Sequence, residues 1–185
     1  MPSRRTNRLA EMRTRDWGNE AGEQTLEYIA EYGYATMHVF GDDRSMSWSY
    51  SIGMYDTWGQ PEIVMTGFPQ ELATSILGHA AVRNREGRFL TPEQRDPEFI
   101  GRFDCIFRPV EDVWIQRLML YCAWFYGDTS FPVLQCICTD FENRFPWEPG
   151  FDPTWRAKQA LLFAGADKTD AEKKLWNTSA PKIGS

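Results

Sequence analysis

At 185 residues the chain has room for one well-buried domain and too little for two of ordinary size. Its 42% hydrophobic and 15% aromatic content, with eight tryptophans, allows a packed core, while no apolar run approaches the ~20 residues that span a bilayer. A formal charge of −6 and a pI near 5.0 argue against nucleic acid as a partner, and the N-terminal arginines lack the apolar stretch of a secretory signal. A soluble, cytoplasmic protein without membrane association is the expectation.

Residues 1–19, with Arg4, Arg5, Arg8, Arg13 and Arg15, read as a flexible arm. Over 20–32, Leu26, Ile29 and Ala30 fall at helical spacing and Gly33 supplies a stop. Tyr34 to Phe40 is rich in strand formers, and Gly41-Asp42-Asp43-Arg44 is turn chemistry. From Ser45 to Met54 the pattern alternates: Met46, Trp48, Tyr50, Ile52 and Met54 on one face, four serines and Gly53 on the other. The two segments predict a hairpin with one packed face and one small, polar face. Glu62–Thr66 is a third strand, ended by Gly67. Phe68-Pro69 opens a helix whose inner stripe is Leu72, Ile76, His79 and Ala80, with His79 a hydrogen-bonded core residue.

Residues 84–101 are charged and carry Pro92 and Pro97, which reads as a connector before a fourth strand, Phe103–Val110. Trp114, Leu118, Tyr121, Cys122 and Phe125 predict one helix closed by Gly127, and Pro132–Cys138 a fifth strand. After a turn-rich loop over 140–150, Asp152 and Pro153 start a helix to about Phe163. Residues 164–185 form a polar tail with a short helix around Trp176. The expected fold is α+β: a single domain over 20–163 with a mainly antiparallel sheet of about five strands and packed helices.

Catalytic signatures are mostly excluded. There is no Gly-x-Ser-x-Gly elbow, no phosphate-binding Gly-x4-Gly-Lys-[Ser/Thr], no Gly-x-Gly-x2-Gly and no His-Glu-x2-His. Cys105, Cys122, Cys136 and Cys138 lack zinc spacing and read as buried thiols, so no metal is expected. Asp56 and Glu62 are close enough in sequence for an acid–base pair, although turn capping and a surface ion pair explain them as well.

Two blocks interleave rigid aromatics with Gly, Pro and amides: Trp48 to Glu62, and Trp124-Phe125-Tyr126-Gly127 through Phe131-Pro132-Val133-Leu134-Gln135 to Phe145-Pro146-Trp147. Flat rings beside polar tips line recognition pockets. The candidate ligand-binding residues are therefore Tyr50, Ser51, Gly53, Trp58, Gln60, Glu62, Trp124, Tyr126, Gln135 and Trp147. The two blocks are expected to converge in space.

Tyr50-Ser51-Ile52-Gly53-Met54, Gly59-Gln60-Pro61-Glu62 and Ile63-Val64-Met65-Thr66-Gly67-Phe68-Pro69 resemble a bacterial family, domain of unknown function 4262. Phe107-Arg108-Pro109-Val110, the Trp124, Phe131 and Phe145 motifs, and the order of all these elements over about residues 26–163 extend the resemblance. Where that family usually has histidine, this chain has Gln60, so a general base at that position would be lost here. The resemblance implies no activity. Three readings follow: a non-catalytic module binding a small planar ligand or a peptide; a flavin-dependent oxidoreductase in which Ser49, Ser51, Arg83 and Arg85 hold the phosphate of FMN; and an immunity-type or interaction protein that binds a partner protein. A homodimer is compatible with each.

Overall fold

The computed structural model describes residues 3–14, 20–42 and 45–175. In chain order these form α1 (Arg4–Arg13), α2 (Glu20–Tyr32), β1 (Ala35–Val39), β2 (Trp48–Ile52), α3 (Met54–Trp58), β3 (Glu62–Thr66) and α4 (Gln70–Arg85). There follow β4 (Arg95–Ile100), β5 (Phe103–Pro109), α5 (Asp112–Leu118), α6 (Leu120–Tyr126), β6 (Val133–Cys138), α7 (Pro153–Arg156) and α8 (Lys168–Leu175). The strands make one sheet in the order β1-β2-β3-β6-β5-β4. The α+β class is as expected, but the sheet has six strands and is mixed: β3 and β6 run parallel, with Glu62 opposite Val133, while the other neighbours are antiparallel.

Helices cover both faces. Tyr50, Ile52, Val64 and Val133 point into a core shared with Leu9 and Met12 of α1, Leu26 and Ile29 of α2, and the apolar stripes of α5 and α6. Ile63, Met65, Leu134, Cys136 and Cys138 point the other way, onto Ala73, Ile76, Leu77 and Ala80 of α4 and onto Phe99 and Phe107. The β1–β2 hairpin forms with Met37 opposite Tyr50. Its serine face is not exposed, however: Ser49 is 1% exposed and Ser51 is fully buried, whereas Trp48 is only half-buried. Burial of these hydroxyls is compensated by hydrogen bonds, Ser49 Oγ lying 2.6 Å from His38 Nδ1.

Several segments differ from their sequence patterns. Part of the expected arm is α1, capped by Ser3, whose Oγ accepts from Thr6 N at 3.2 Å; Leu9 and Met12 anchor it in the core. Arg15 lies outside the described residues. The expected connector over 84–101 contains β4, an outermost strand in which Pro97 and the charges of Arg95, Asp96 and Glu98 are tolerated because one side faces solvent. The single helix expected from Trp114 breaks at Met119 (φ −110°, ψ 51°) into α5 and α6. In α4 the buried stripe runs through Ala73 and Leu77, leaving Leu72 exposed; His79 is half-buried, stacked on Phe99 and donating to its carbonyl at 2.9 Å.

Asp152 caps α7 as expected, Thr154 N donating to its Oδ1 at 2.7 Å, yet α7 is a single turn. The chain must then extend along the sheet: Phe163 bridges Val110, and Gln159 exchanges two 3.0 Å hydrogen bonds with the backbone of Cys138. Gly67 sits beneath this segment at φ +75°, where a Cβ would come within 1.6 Å of Lys158 O, so no other residue fits. Past residue 164, α8 places Ala171 and Leu175 in the core; Trp176 lies outside the described residues. No helix among the described residues is long and apolar enough to cross a membrane.

Candidate functional site

Glu62, at the start of β3, is fully buried. Gly53 leaves β2 in the left-handed conformation (φ +101°) and turns the chain directly into α3. That turn aims two N–H groups at one carboxylate oxygen: Gly53 N donates to Glu62 Oε1 at 2.9 Å and Tyr55 N at 3.1 Å. Ser51 Oγ donates to Oε2 at 2.5 Å while accepting from Ile63 N at 2.9 Å. The Tyr126 hydroxyl, arriving from α6, completes the set by donating to Oε1. Cys122 Sγ donates to Ser51 O at 3.2 Å beside it.

Burial pushes the Glu62 carboxyl above its usual range, with the four donors acting against the shift. Burial, and then the Glu62 charge, push Tyr126 and Cys122 up as well, so the phenol and the thiol remain protonated donors. The arrangement ties β2, α3, β3 and α6 together through one carboxylate. Outside it, Arg8 Nε bonds Asp56 at 3.1 Å and Arg8 Nη1 donates to Tyr126 O at 3.0 Å. Asp56 and Glu62 thus have separate partners. A hollow of about 440 Å³ lined by Arg4, Asn7, Arg8, Glu11, Tyr55 and Asp56 opens there.

The structure therefore brings Ser51, Gly53, Glu62 and Tyr126 together. Tyr50 is buried, its hydroxyl accepting from Tyr121 N at 3.4 Å. The remaining candidates have other neighbours. Gln135 accepts from Leu162 N at 2.8 Å and donates to Ala160 O at 2.6 Å, holding the extended segment after α7. Trp147 stacks on Phe145 at 5.0 Å with the Arg108 guanidinium 4.0 Å from its ring. Trp58 packs near Tyr34, Trp124 meets Tyr121 edge-on, and Gln60 is half-buried after α3.

Three of the four residues weighed for a flavin phosphate are engaged within the fold. Ser49 and Ser51 are buried against His38 and Glu62, and Arg83 pairs with Asp96 at 2.6 Å. The four cysteines are unbridged and buried. Among the described residues no group of three His, Cys, Asp or Glu is placed to hold a metal ion.

A second feature was outside both aromatic blocks. Between α2, β1 and the first turns of α4 runs a groove of about 560 Å³, whose walls include Tyr28, Tyr32, Thr36, His38, Phe40 and Gln70. It continues, through His38, Phe40 and Gln70, into a hollow of about 490 Å³ that reaches Ser45 and Phe68. Tyr28, Tyr32 and Phe40 are 47%, 53% and 74% exposed. Tyr28 and Tyr32 lie one helical turn apart with ring centroids at 6.0 Å, and His38 meets Phe40 edge-on at 4.6 Å. Burial lowers the His38 pKa from its usual 6.5, so the imidazole is neutral at pH 7. The one signal in the sequence is that Tyr28 and Tyr32 sit opposite the Leu26–Ile29 stripe, where polar residues belong.

No curated protein and no solved structure matches the chain. The model of a domain of unknown function, DUF4262, matches residues 28–152, from within α2 through every strand of the sheet to the approach to α7, and the chain belongs to that family.

Proposed function

We propose that this chain is a binding module whose ligand lies in the tyrosine-lined groove beside β1. The observation that carries this reading is the combination of volume and exposure. A groove of about 560 Å³ falls within the ~300–1,000 Å³ of small-ligand sites, and it is walled by aromatic rings that solvent reaches. Apolar ring surface exposed side by side is unfavourable in water, and covering it with a ligand releases that cost. The Glu62 cluster has the opposite character, since its donors are consumed within the fold, and its role is to fix the turn from β2 into β3.

Nitrogen-labelled protein titrated with a library of planar aromatic fragments and with short peptides tests the reading. Binders should shift the amide signals of Tyr32, Thr36, His38 and Phe40, and a Y32A/F40A variant that stays folded should lose them. Binding that maps instead to Arg8, Tyr55 and Asp56, or that survives in the variant, would place the site elsewhere.

A further inference from the structure

The two ends of the sheet are built differently. At one end β4 carries Arg95, Asp96, Pro97 and Glu98, and its register with β5 shifts between Asp96 and Ile100. Charge, proline and an irregular register are the devices that keep an edge strand from pairing with another chain. At the other end β1 reads Ala-Thr-Met-His-Val, without charge or proline, and pairs with β2 in unbroken register over all five residues. Among the described residues the sheet stops at β1. Alternate residues of such a strand direct their N–H and C=O groups outward.

We propose that the groove receives an extended, lysine- or arginine-bearing peptide that joins the sheet as a strand beside β1. The proposal rests on the binding-module reading above and adds the chemistry of the ligand. Thr36, His38 and Phe40, two residues apart, line the groove in one row, so a strand laid along β1 sets alternate side chains over that row. The charge on the α2 wall has one sign. Glu20, Glu23, Glu27 and Glu31 are exposed along α2, and the exposed Asp42 lines the hollow that continues the groove. The groove lining itself holds no Lys or Arg; at its inner end Arg85 acts on Tyr34 and the Arg5 guanidinium lies beside Gly33. Tyr28 and Tyr32 follow Glu27 and Glu31 directly on α2, so a cationic side chain reaching their rings gains both ring-face attraction and an ion pair. A second copy of this chain is a poorer occupant, because two β1 edges meeting would bring two glutamate-rich α2 helices together.

The test uses the labelled full chain and peptides of about ten residues in which valine alternates with lysine, glutamate or serine, enough to span β1 at ~3.4 Å per residue. The lysine peptide should bind roughly tenfold or more tightly than the glutamate peptide, and added salt should shrink the difference. An E27Q/E31Q variant should weaken the lysine peptide about three- to tenfold. Methylating the backbone nitrogens on one edge of the lysine peptide should abolish binding, and bound peptide should slow amide exchange in β1. Equal binding of the three peptides would overturn the charge assignment, and indifference to methylation the strand pairing. Self-association of the free protein that protects β1 would assign the edge to a second copy and overturn the proposal. Planar fragments that enter the groove when no peptide does would overturn it while leaving the binding-module reading intact. Silence from both would end both.

Discussion

Glu62 and Tyr126 are separated by 64 residues in sequence and joined by a hydrogen bond in the core. The bond joins the start of β3 to the last residue of α6, across the parallel pair of strands, and it is one of four that the carboxylate accepts.

Removing that carboxylate leaves the Ser51, Tyr55 and Tyr126 donors without their acceptor and Gly53 N with only the Tyr126 hydroxyl, 3.2 Å away. Glu62→Ala should cost about 3–5 kcal/mol in urea unfolding, since an orphaned buried polar group costs about 1–3 kcal/mol. Glu62→Gln keeps Oε1 and should cost about 1–2 kcal/mol, as should Tyr126→Phe. An alanine variant as stable as the parent would show that the cluster does not hold the turn.

The same residue sets a pH dependence with a definite sign. Burial raises the Glu62 pKa above the usual 4.5, so the folded protein holds this proton more tightly than the unfolded chain does. Its stabilising contribution is complete below pH 4.5 and is lost as pH rises through the folded-state value. Glu62→Gln does not titrate. Its deficit relative to the parent should therefore narrow from pH 4.5 towards neutrality in matched denaturant titrations, and a deficit that widens would reverse the assignment.

Gln135 belongs to the frame. Gln135→Ala removes the partner of Leu162 N and one of the two donors to Ala160 O and should destabilise the protein by about 1–3 kcal/mol, while leaving binding in the β1 groove unaffected. Hydrogen exchange at Leu162 should accelerate first. Unchanged exchange there would mean that the segment is held without Gln135, by Thr66, Gln159 and the bridge from Phe163 to Val110.

Helix α1 is part of the core. Met12→Ala should cost about 2–5 kcal/mol, the range for emptying a buried side-chain site, whereas the exposed Arg13→Ala should stay within about 0.5 kcal/mol. Equal, small effects in thermal unfolding would detach α1 from the fold.

Local pattern and global placement were not equally legible. The β2 part of the Ser45–Met54 alternation, the Glu62–Thr66 strand and α2 follow from residue periodicity, which depends only on neighbours in sequence, whereas Met54, expected on the Tyr50 face, begins α3 and packs on the other side of the sheet. β4 was hidden by Pro97 and its charges, because their meaning reverses once the strand is outermost. The parallel β3–β6 pair depends on a crossover through α4, β4, β5, α5 and α6, and no local pattern encodes it. The aromatic–glycine blocks pointed to ten residues, of which Ser51, Gly53, Glu62 and Tyr126 meet, but composition does not separate a buried clamp from a ligand pocket. The groove escaped because exposure of Tyr28 and Tyr32 looks like the ordinary polar side of a helix until β1 is known to end the sheet.

That asymmetry of the sheet also counts. A sheet barred at β4 and open at β1 can lengthen by one strand at one end, and the incoming strand then becomes the new boundary. Among the described residues each protein molecule thus offers one open edge of its own. Even two copies meeting edge to edge would close into a finite pair whose outer limits are both β4, so this architecture terminates instead of propagating into a fibre.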